Sequence, residues 1–598
     1  MRNKTKTILI SISIFIIVFV LLGIPYTNWW FNGDDFHGVF LGFKSQTWKE
    51  IFHFFLNGHT NQDVGPSNCL ISNKTSFLGT YYRPLYCVYL SIQYWLFKTN
   101  AYYYLLTNVF FHAINTVILF NIFLWFINYI PAFLVAMLFA FHPQIGYRFG
   151  AIVNLHYYVN VMLLLLCILF FKKYLDSKKI RYNIFACTLF ALSLFTRETS
   201  IVLPAIIFLG AYLYANKTKK LSSPVRGACP PKPRRRGKPV EPYEHNYKIF
   251  FKEFFYYLKI TSGLWITALS FLILRLILYP LNFTQTSTQN ISIFLTIKNM
   301  ALAKFPQFQV FMYDLLYLSW LPWGHKILRG IIVISLLSLF TWLFIKNKKK
   351  IYVLYFLLCA ALMLWPGYIG YYSPRYFYEV APFLLMAFVF LFKYYQGKLV
   401  ILKNLVTPTL AVILIFFMLF DLHCFARREQ KMHALATATI ELAQNSKIQN
   451  KSLCFLSHPM DGFGAHPVTI SWVLFNDKNR TTQIYCDPCS GIIQADSNIV
   501  TPTKWANIIS EYFTKNYIEI IQDKNSFRFK SLNPQKTVFY PETPGYSLGK
   551  KIINKEENIN NTKVVTDFTL NIKDKYLKQD PVFIAWNYER KKFAIIKA

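Results

Sequence analysis

The sequence predicts an all-α polytopic membrane bundle that carries a small α+β domain at its carboxyl end. Three observations predict it. Apolar runs of near bilayer-spanning length recur as far as Phe420; only 15% of the 598 residues are charged, against 54% hydrophobic and 19% aromatic; and the composition turns water-compatible after Asp421. The mean hydropathy of +0.30 exceeds what a water-soluble enzyme needs. The net charge of +36 suits a polyanion partner at first sight, but the lysines and arginines gather in short clusters between apolar runs, where loops on the cytoplasmic side carry them. Topology, rather than nucleic acid, accounts for the basicity.

The first element follows from the opening residues. The basic stretch MRNKTK precedes an apolar run from Ile8 to Ile24, and LLGIPYTN supplies no small-residue cleavage site, so an uncleaved anchor with its amino terminus inside is expected. Further runs lie at roughly 101–127, 131–142, 150–171, 181–196, 200–214, 255–280, 327–345, 351–370, 377–394 and 401–420, which makes about eleven crossings. Counting sides from that start puts Lys172, Lys173, Lys178, Lys179 and Arg181, the tract from Lys217 to Lys252, Lys346 to Lys350, and Lys393 to Lys403 in the cytoplasm. The count requires that Arg83 to Phe97 lies along the membrane or re-enters it, which suits a run of about 14 apolar residues behind an Arg-Pro. Outside then lie Asp34 and Asp35, His142 to His156, Arg197 and Glu198, Asp314, Arg375, and everything after Asp421.

The first external loop spans about 28–100. In it Trp48, Ile51, Phe52 and Phe55 share one helical face and Lys49, Glu50 and His53 the other, the pattern of a helix in the interface. A Pro-, Gly- and Arg-rich tract predicts a disordered cytoplasmic insertion at about 218–248. The membrane domain is thus 1–420. Residues 421–598 read as one soluble domain outside the cytoplasm, with an amphipathic helix near 426–446 and strand-like runs LCFLS, TQIYC, TVFYP, KVVTDFTL and PVFIAW. Cys486 and Cys489 are spaced for a disulfide or, as the sharper reading, a redox pair, though no βαβ pattern surrounds them.

Asp34 and Asp35 sit just beyond the first span, in a chain that otherwise keeps acids away from its apolar stretches. A carboxylate there is placed to take a proton from an acceptor hydroxyl arriving from water. If the donor is a sugar on a lipid phosphate, the departing group needs a cation beside it, and guanidinium suits phosphate. Arg83, Arg148, Arg197 and Arg375 share the external side. Each has a structural alternative: the acids cap a helix starting near Phe36, Arg83 snorkels at the interface, Arg197 and Glu198 form an ion-pair or capping arrangement between helices, and Arg375 anchors on tyrosines. His112, four residues after Asn108, either packs with it or contacts substrate. Asp314 reads as a solvated loop acid.

The order NGDDF (32–36), YYRPLYCVYL (81–90), YYYLLTNVFFHAINTVILF (102–120), LFAFHP (138–143), LSLFTRETSIVLP (192–204) and SPRYFYEVAPFLL (373–385) resembles the GT-C-type glycosyltransferases. Among them it is most similar to the O-mannosyltransferases that join a membrane domain to tetratricopeptide repeats, and to bacterial relatives without repeats; no such repeat follows here. The resemblance, over roughly 30–395, implies inverting transfer of a sugar from a polyprenyl-phosphate carrier on the non-cytoplasmic face. It assigns the base to Asp34 or Asp35, donor phosphate contacts to Arg83, Arg375 and Arg148, and pocket positions to Tyr82, His112, His142, Arg197 and Glu198. The chain departs from the family pattern with Tyr147 where a Glu is usual, and with Leu155 and Tyr157 where an Arg followed closely by Asp is usual.

No metal or other cofactor is expected to be required, since arginine alone can handle a monophosphate donor. The partners implied are membrane lipid, the polyprenyl-phosphate sugar, and a glycan, lipid or protein acceptor, in a cytoplasmic (inner) membrane with the site facing outward. The alternative is a transporter or flippase for a polyisoprenoid-linked or glycolipid substrate, for which two similar halves with broken helices are the usual signature. A third reading is a membrane scaffold whose external domain binds a partner.

Overall fold

A computed structural model describes residues 2–26, 35, 39, 42, 47–57, 59–60, 80–81, 83–142, 151–222, 242–278, 335, 338–347, 350–364, 377–393, 409, 412–416, 418–420, 441, 453–455, 518–523, 526–531, 549–559, 562–572, 582–587 and 592–597. These are mostly helical and divide into two compact units. One gathers Met1–Leu22, Asn108–Arg148 and Asn154–His423; the other gathers Gly23–Thr107, Phe149–Val153 and Cys424–Ala598.

The helices in chain order are α1 (Arg2–Gly23), α2 (Trp48–Asn57), α3 (Pro84–Phe97), α4 (Ala101–Phe123), α5 (Tyr129–Phe141), α6 (Leu155–Ser177), α7 (Ile180–Thr196), α8 (Leu203–Ser222), α9 (Pro242–Leu278), α10 (Lys350–Met363) and α11 (Phe377–Lys393). Among the described residues four stretches, Lys4–Gly23, Ala101–Phe123, Ile152–Ser177 and Glu253–Ile277, are long and apolar enough to cross a membrane by length and composition. Shorter apolar helices accompany them at Tyr129–Phe141, Ile180–Thr196, Glu198–Leu213, Lys350–Met363 and Phe377–Leu391. Large apolar side chains also face outward, among them Ile8, Ile12 and Ile16 on α1 and Ile266, Leu269 and Ile273 on α9, an exterior compatible with membrane insertion.

In the first unit, α1 runs antiparallel to α4. Ile14, Val18 and Leu22 recur at the i, i+4, i+8 spacing of one buried stripe. Phe15 meets Phe110 edge-on at 5.7 Å, Asn121 Nδ2 donates to Ser11 Oγ at 3.2 Å, and the Thr7 and Tyr129 hydroxyls lie 2.8 Å apart, so rising numbers on one side meet falling numbers on the other. α6 and α7 form a hairpin: Lys178 takes the left-handed conformation (φ 57°) that ends a helix, and its N–H closes on Tyr174 O at 2.8 Å. α10 and α11 pair through Tyr352 stacked on Phe390 at 5.2 Å, and Asn347 Nδ2 donates to the carbonyls of Phe390 and Leu391 at 3.1 Å each. Pro382 interrupts α11 and leaves the carbonyl of Tyr378, four residues back, without its usual helical donor.

In the second unit Asp35, Val39 and Gly42 are helical and buried at the i, i+4, i+7 spacing of one face. Gly42 presses on α3; a Cβ there would stand 2.5 Å from Leu90 O, so only glycine fits. The helix expected in this loop forms as α2. It opens with a capping box, Thr47 N–H donating to Glu50 Oε2 at 2.9 Å and Glu50 N–H to Thr47 Oγ1 at 3.3 Å, and it leaves Trp48 80% exposed. The segment after Arg83 is the 14-residue helix α3, shorter than a usual span. The loop also holds a small antiparallel pair, β1 (His59–Thr60) with β2 (Thr80–Tyr81).

Towards the carboxyl end lie β3 (Leu453–Phe455), β4 (Ile518–Asp523), β5 (Ser526–Ser531), β6 (Gly549–Ile559), β7 (Thr562–Ile572), β8 (Val582–Asn587) and β9 (Lys592–Lys597). They make an antiparallel sheet of order β4-β5-β7-β6 and a mixed sheet β3-β8-β9 in which β3 is parallel to β8. Three expected strand runs appear as β3, β7 and β8. β4, β5, β6 and β9 lie outside the expected strand runs; β6, with KKIINKEEN, is too charged for apolar alternation to reveal it. The runs TQIYC and TVFYP, the pair Cys486 and Cys489, Asp314, and the helix near 426–446, apart from helical Glu441, lie outside the described residues, as does 223–241 of the expected insertion.

Candidate functional site: a buried polar network and a buried aspartate

The first turn of α11 carries Tyr378 and Glu379 into the first unit, where both are buried. Tyr378 is the centre of one hydrogen-bonded chain. Asn115 of α4 uses both amide hydrogens, donating to Tyr158 O and to Tyr378 Oη at 2.8 Å each. His112, one turn earlier on α4, has Nε2 3.1 Å from Ala140 O and Nδ1 3.0 Å from Tyr378 Oη. A carbonyl only accepts, so Nε2 carries the hydrogen and Nδ1 accepts from the tyrosine. Phe139 and Tyr158 close around the imidazole, with ring centroids 5.1 and 6.2 Å away.

Glu379 anchors the second chain. Its Oε1 accepts from Arg197 Nε at 3.0 Å, Asn160 Nδ2 at 2.8 Å and Thr199 Oγ1 at 3.2 Å. The side chains of the ion pair are 1% and 0% exposed. The Arg197 guanidinium also lies 3.8 Å from the centroid of the Tyr157 ring. Ser193 and Ser200 hydroxyls stand 2.7 and 2.9 Å from Asn160 Oδ1 and 2.6 Å from each other. Arg197 reaches this position because α7 ends at Thr196 and a 3-10 turn, Glu198–Val202, redirects the chain into α8. A buried charge costs several kcal/mol unless it is paired and hydrogen-bonded, and here three donors converge on one carboxylate oxygen.

The structure therefore brings His112 and Arg197 into neighbouring networks through adjacent residues of α11. His112 bonds Tyr378 and Ala140, not Asn108. The ion-pair reading of Arg197 holds, but its partner is Glu379 on a distant helix, while Glu198 is half-buried in the 3-10 turn. The expectation that acids avoid the apolar stretches is overturned by Glu379, which opens an apolar helix. The sequence carries half of the signal: an acid inside an apolar run demands a partner, but nothing local says which. His142 follows α5 and packs against the Phe377 ring, centroids 4.7 Å apart and planes tilted by 32°. Tyr378, Asn115 and Asn160 carry no such signal, because tyrosine and asparagine in apolar runs have many structural uses.

In the second unit Asp35 is fully buried, and its Oδ1 faces the backbone N–H of Val153 at 3.4 Å. Arg83 is half-buried at the amino-terminal cap of α3. Pro84 follows at the first helical position, and Tyr86 N–H donates to Arg83 O at 3.0 Å, while the Arg83 side chain makes no capping bond. Asp34, Tyr82, Arg148 and Arg375 lie outside the described residues. Among the described residues no group of three His, Cys, Asp or Glu side chains is arranged to hold a metal ion.

No protein-family model matches the chain, and no curated protein matches it.

Proposed function

We propose that the chain is an inverting glycosyltransferase of the GT-C type, which moves a sugar from a polyprenyl-phosphate donor to an acceptor hydroxyl. On this reading about eleven helices cross the membrane, the site faces the non-cytoplasmic side of a cytoplasmic membrane, and residues 421–598 form an α+β domain on that side. The observation that carries it is Asp35: a carboxylate wholly removed from solvent, one short segment after a membrane-compatible helix, is costly and therefore suggests function. Asp35, or Asp34 beside it, takes the acceptor hydroxyl proton as that oxygen attacks the anomeric carbon. The carbon–oxygen bond to the phosphate breaks from the opposite face, and polyprenyl phosphate leaves with the electron pair. Arg83, Arg148 and Arg375 steady the anion. Arg83 is suited to this because it stands at the amino-terminal end of α3, where the helix dipole also favours negative charge.

The test is reconstituted full-length protein with labelled polyprenyl-phosphate sugars. Asp35→Asn or Asp34→Asn should lower transfer by about 10²-fold or more while donor binding persists; undiminished transfer in both variants removes the proposal.

Flipping of a lipid-linked substrate is the second reading, and the Arg197–Glu379 pair favours it, since buried charges between apolar helices often line a pathway. It predicts movement of a fluorescent glycolipid between leaflets, sensitive to Glu379→Gln and indifferent to the acceptor.

A further inference from the structure

Just past the polar network, the same helices enclose an apolar cavity of about 480 Å³, a size that takes the chain of a lipid. It begins at Pro382, three residues beyond Glu379 on α11, and at Leu119 and Leu165, four and five residues beyond Asn115 and Asn160 on α4 and α6. Its wall is apolar even where tyrosine contributes, because Tyr355 spends its hydroxyl on Ile206 O at 2.9 Å. Gly210 keeps that tyrosine in place; a Cβ there would meet Tyr355 Oη at 2.5 Å. The far end is different. Lys172 and Trp125 line it, with the ammonium 5.1 Å from the indole centroid, and Lys172 also pairs with Asp176 at 2.6 Å. Lys173, Lys178, Lys179 and Arg181 follow within the same hairpin turn and are exposed.

We infer that this cavity is a binding site for an anionic phospholipid, one acyl chain filling the apolar interior and the phosphate resting against Lys172. Charge decides the occupant. One acid, Asp176, stands among five cations, so an anionic headgroup gains where a zwitterionic one does not. Neither Asp35 nor Arg83 lines the cavity, and the inference stands whether or not the chain transfers sugar.

The experiment is native mass spectrometry of the full-length protein, titrated with phosphatidylglycerol, phosphatidylcholine or polyprenyl phosphate at equal concentration. Phosphatidylglycerol should be retained roughly five-fold over phosphatidylcholine, and Lys172→Gln, a change at a part-exposed side chain, should bring the two level. Ala211→Trp, which fills the cavity, should abolish retention of both. Intact protein should be verified by an unchanged melting temperature for Lys172→Gln, so that the lysine variant decides the matter if Ala211→Trp fails to fold. Equal retention of the two phospholipids by the native chain, unchanged preference in Lys172→Gln, or selective retention of polyprenyl phosphate instead would each overturn the inference.

Discussion

Arg197 with Glu379 and Arg528 with Asp567 are the same chemical pair in opposite surroundings. In the first, three donors converge on one oxygen with both side chains out of solvent. In the second, Arg528 reaches diagonally from β5 to β7, holding Asp567 through Nε at 3.0 Å and Nη2 at 2.6 Å, with Asn554 adding a bond at 2.9 Å, while the arginine stays 48% exposed. Water can replace much of what Arg528 supplies; nothing comparable reaches Glu379. The lesson is that removal cost follows the surroundings of the partner left behind, not the length of the bond.

The sharpest way to break that contrast is Arg197→Met, which strands the Glu379 carboxylate. It should cost about 3–5 kcal/mol, read as a lowered melting temperature in detergent, and the double variant Arg197→Met/Glu379→Leu should recover most of it. A double variant no better than the single one would show that the pair itself stabilises. Next comes Tyr378→Phe, which leaves an Asn115 hydrogen and His112 Nδ1 short of a partner and should cost about 1–3 kcal/mol. Arg528→Gln should do less, and its effect should show locally, as faster amide exchange in β5 and β7 with little change in the helices. Raising salt from about 0.1 to about 1 M should erase that local difference and leave the Arg197→Met deficit as it was.

The smallest effect is one of pH. The Arg528 guanidinium, helped by Asn554, holds the Asp567 carboxyl below the usual carboxylate range despite its burial. A depressed folded value means that Asp567 contributes stability above its unfolded pKa and loses it as pH falls through the folded one. Protection factors in β5 and β7, taken relative to the intrinsic exchange rate at each pH, should therefore fall on acidification below about pH 4, and Arg528→Gln should blunt that acid limb. Equal acid sensitivity in the variant would remove Asp567 from the account.

Much of the helical order was legible because it is written locally. The run from Ile8 to Ile24, the stretch from Ala101, and the apolar segments ending at Ser177 and Ile277 need only length and composition to be recognised. The short helix behind Arg83-Pro84 was legible for the same reason, as was the exposed aromatic face of α2. The site was legible only in fragments. His112 and Arg197 stood out as ionisable groups in apolar surroundings, and Asp35 as an acid at a membrane edge. That Glu379 would meet Arg197 was hidden, since it depends on the rotation of α11 about its own axis and on the turn after Thr196, neither of which leaves a local trace. The charged strand β6 was hidden because its order comes from ladder bonds to β7 and not from an apolar face.

Residue order by itself thus determined which stretches become apolar helices and where their basic flanks fall, because hydrophobicity summed over a helix length is a local quantity. Only the tertiary structure decided that a carboxylate 182 positions from an arginine neutralises it, and that an apolar cavity opens a turn away. Both follow from how facing helices choose their neighbours: a buried charge accepts one partner geometry among many, and that choice is made by the packing of the whole bundle.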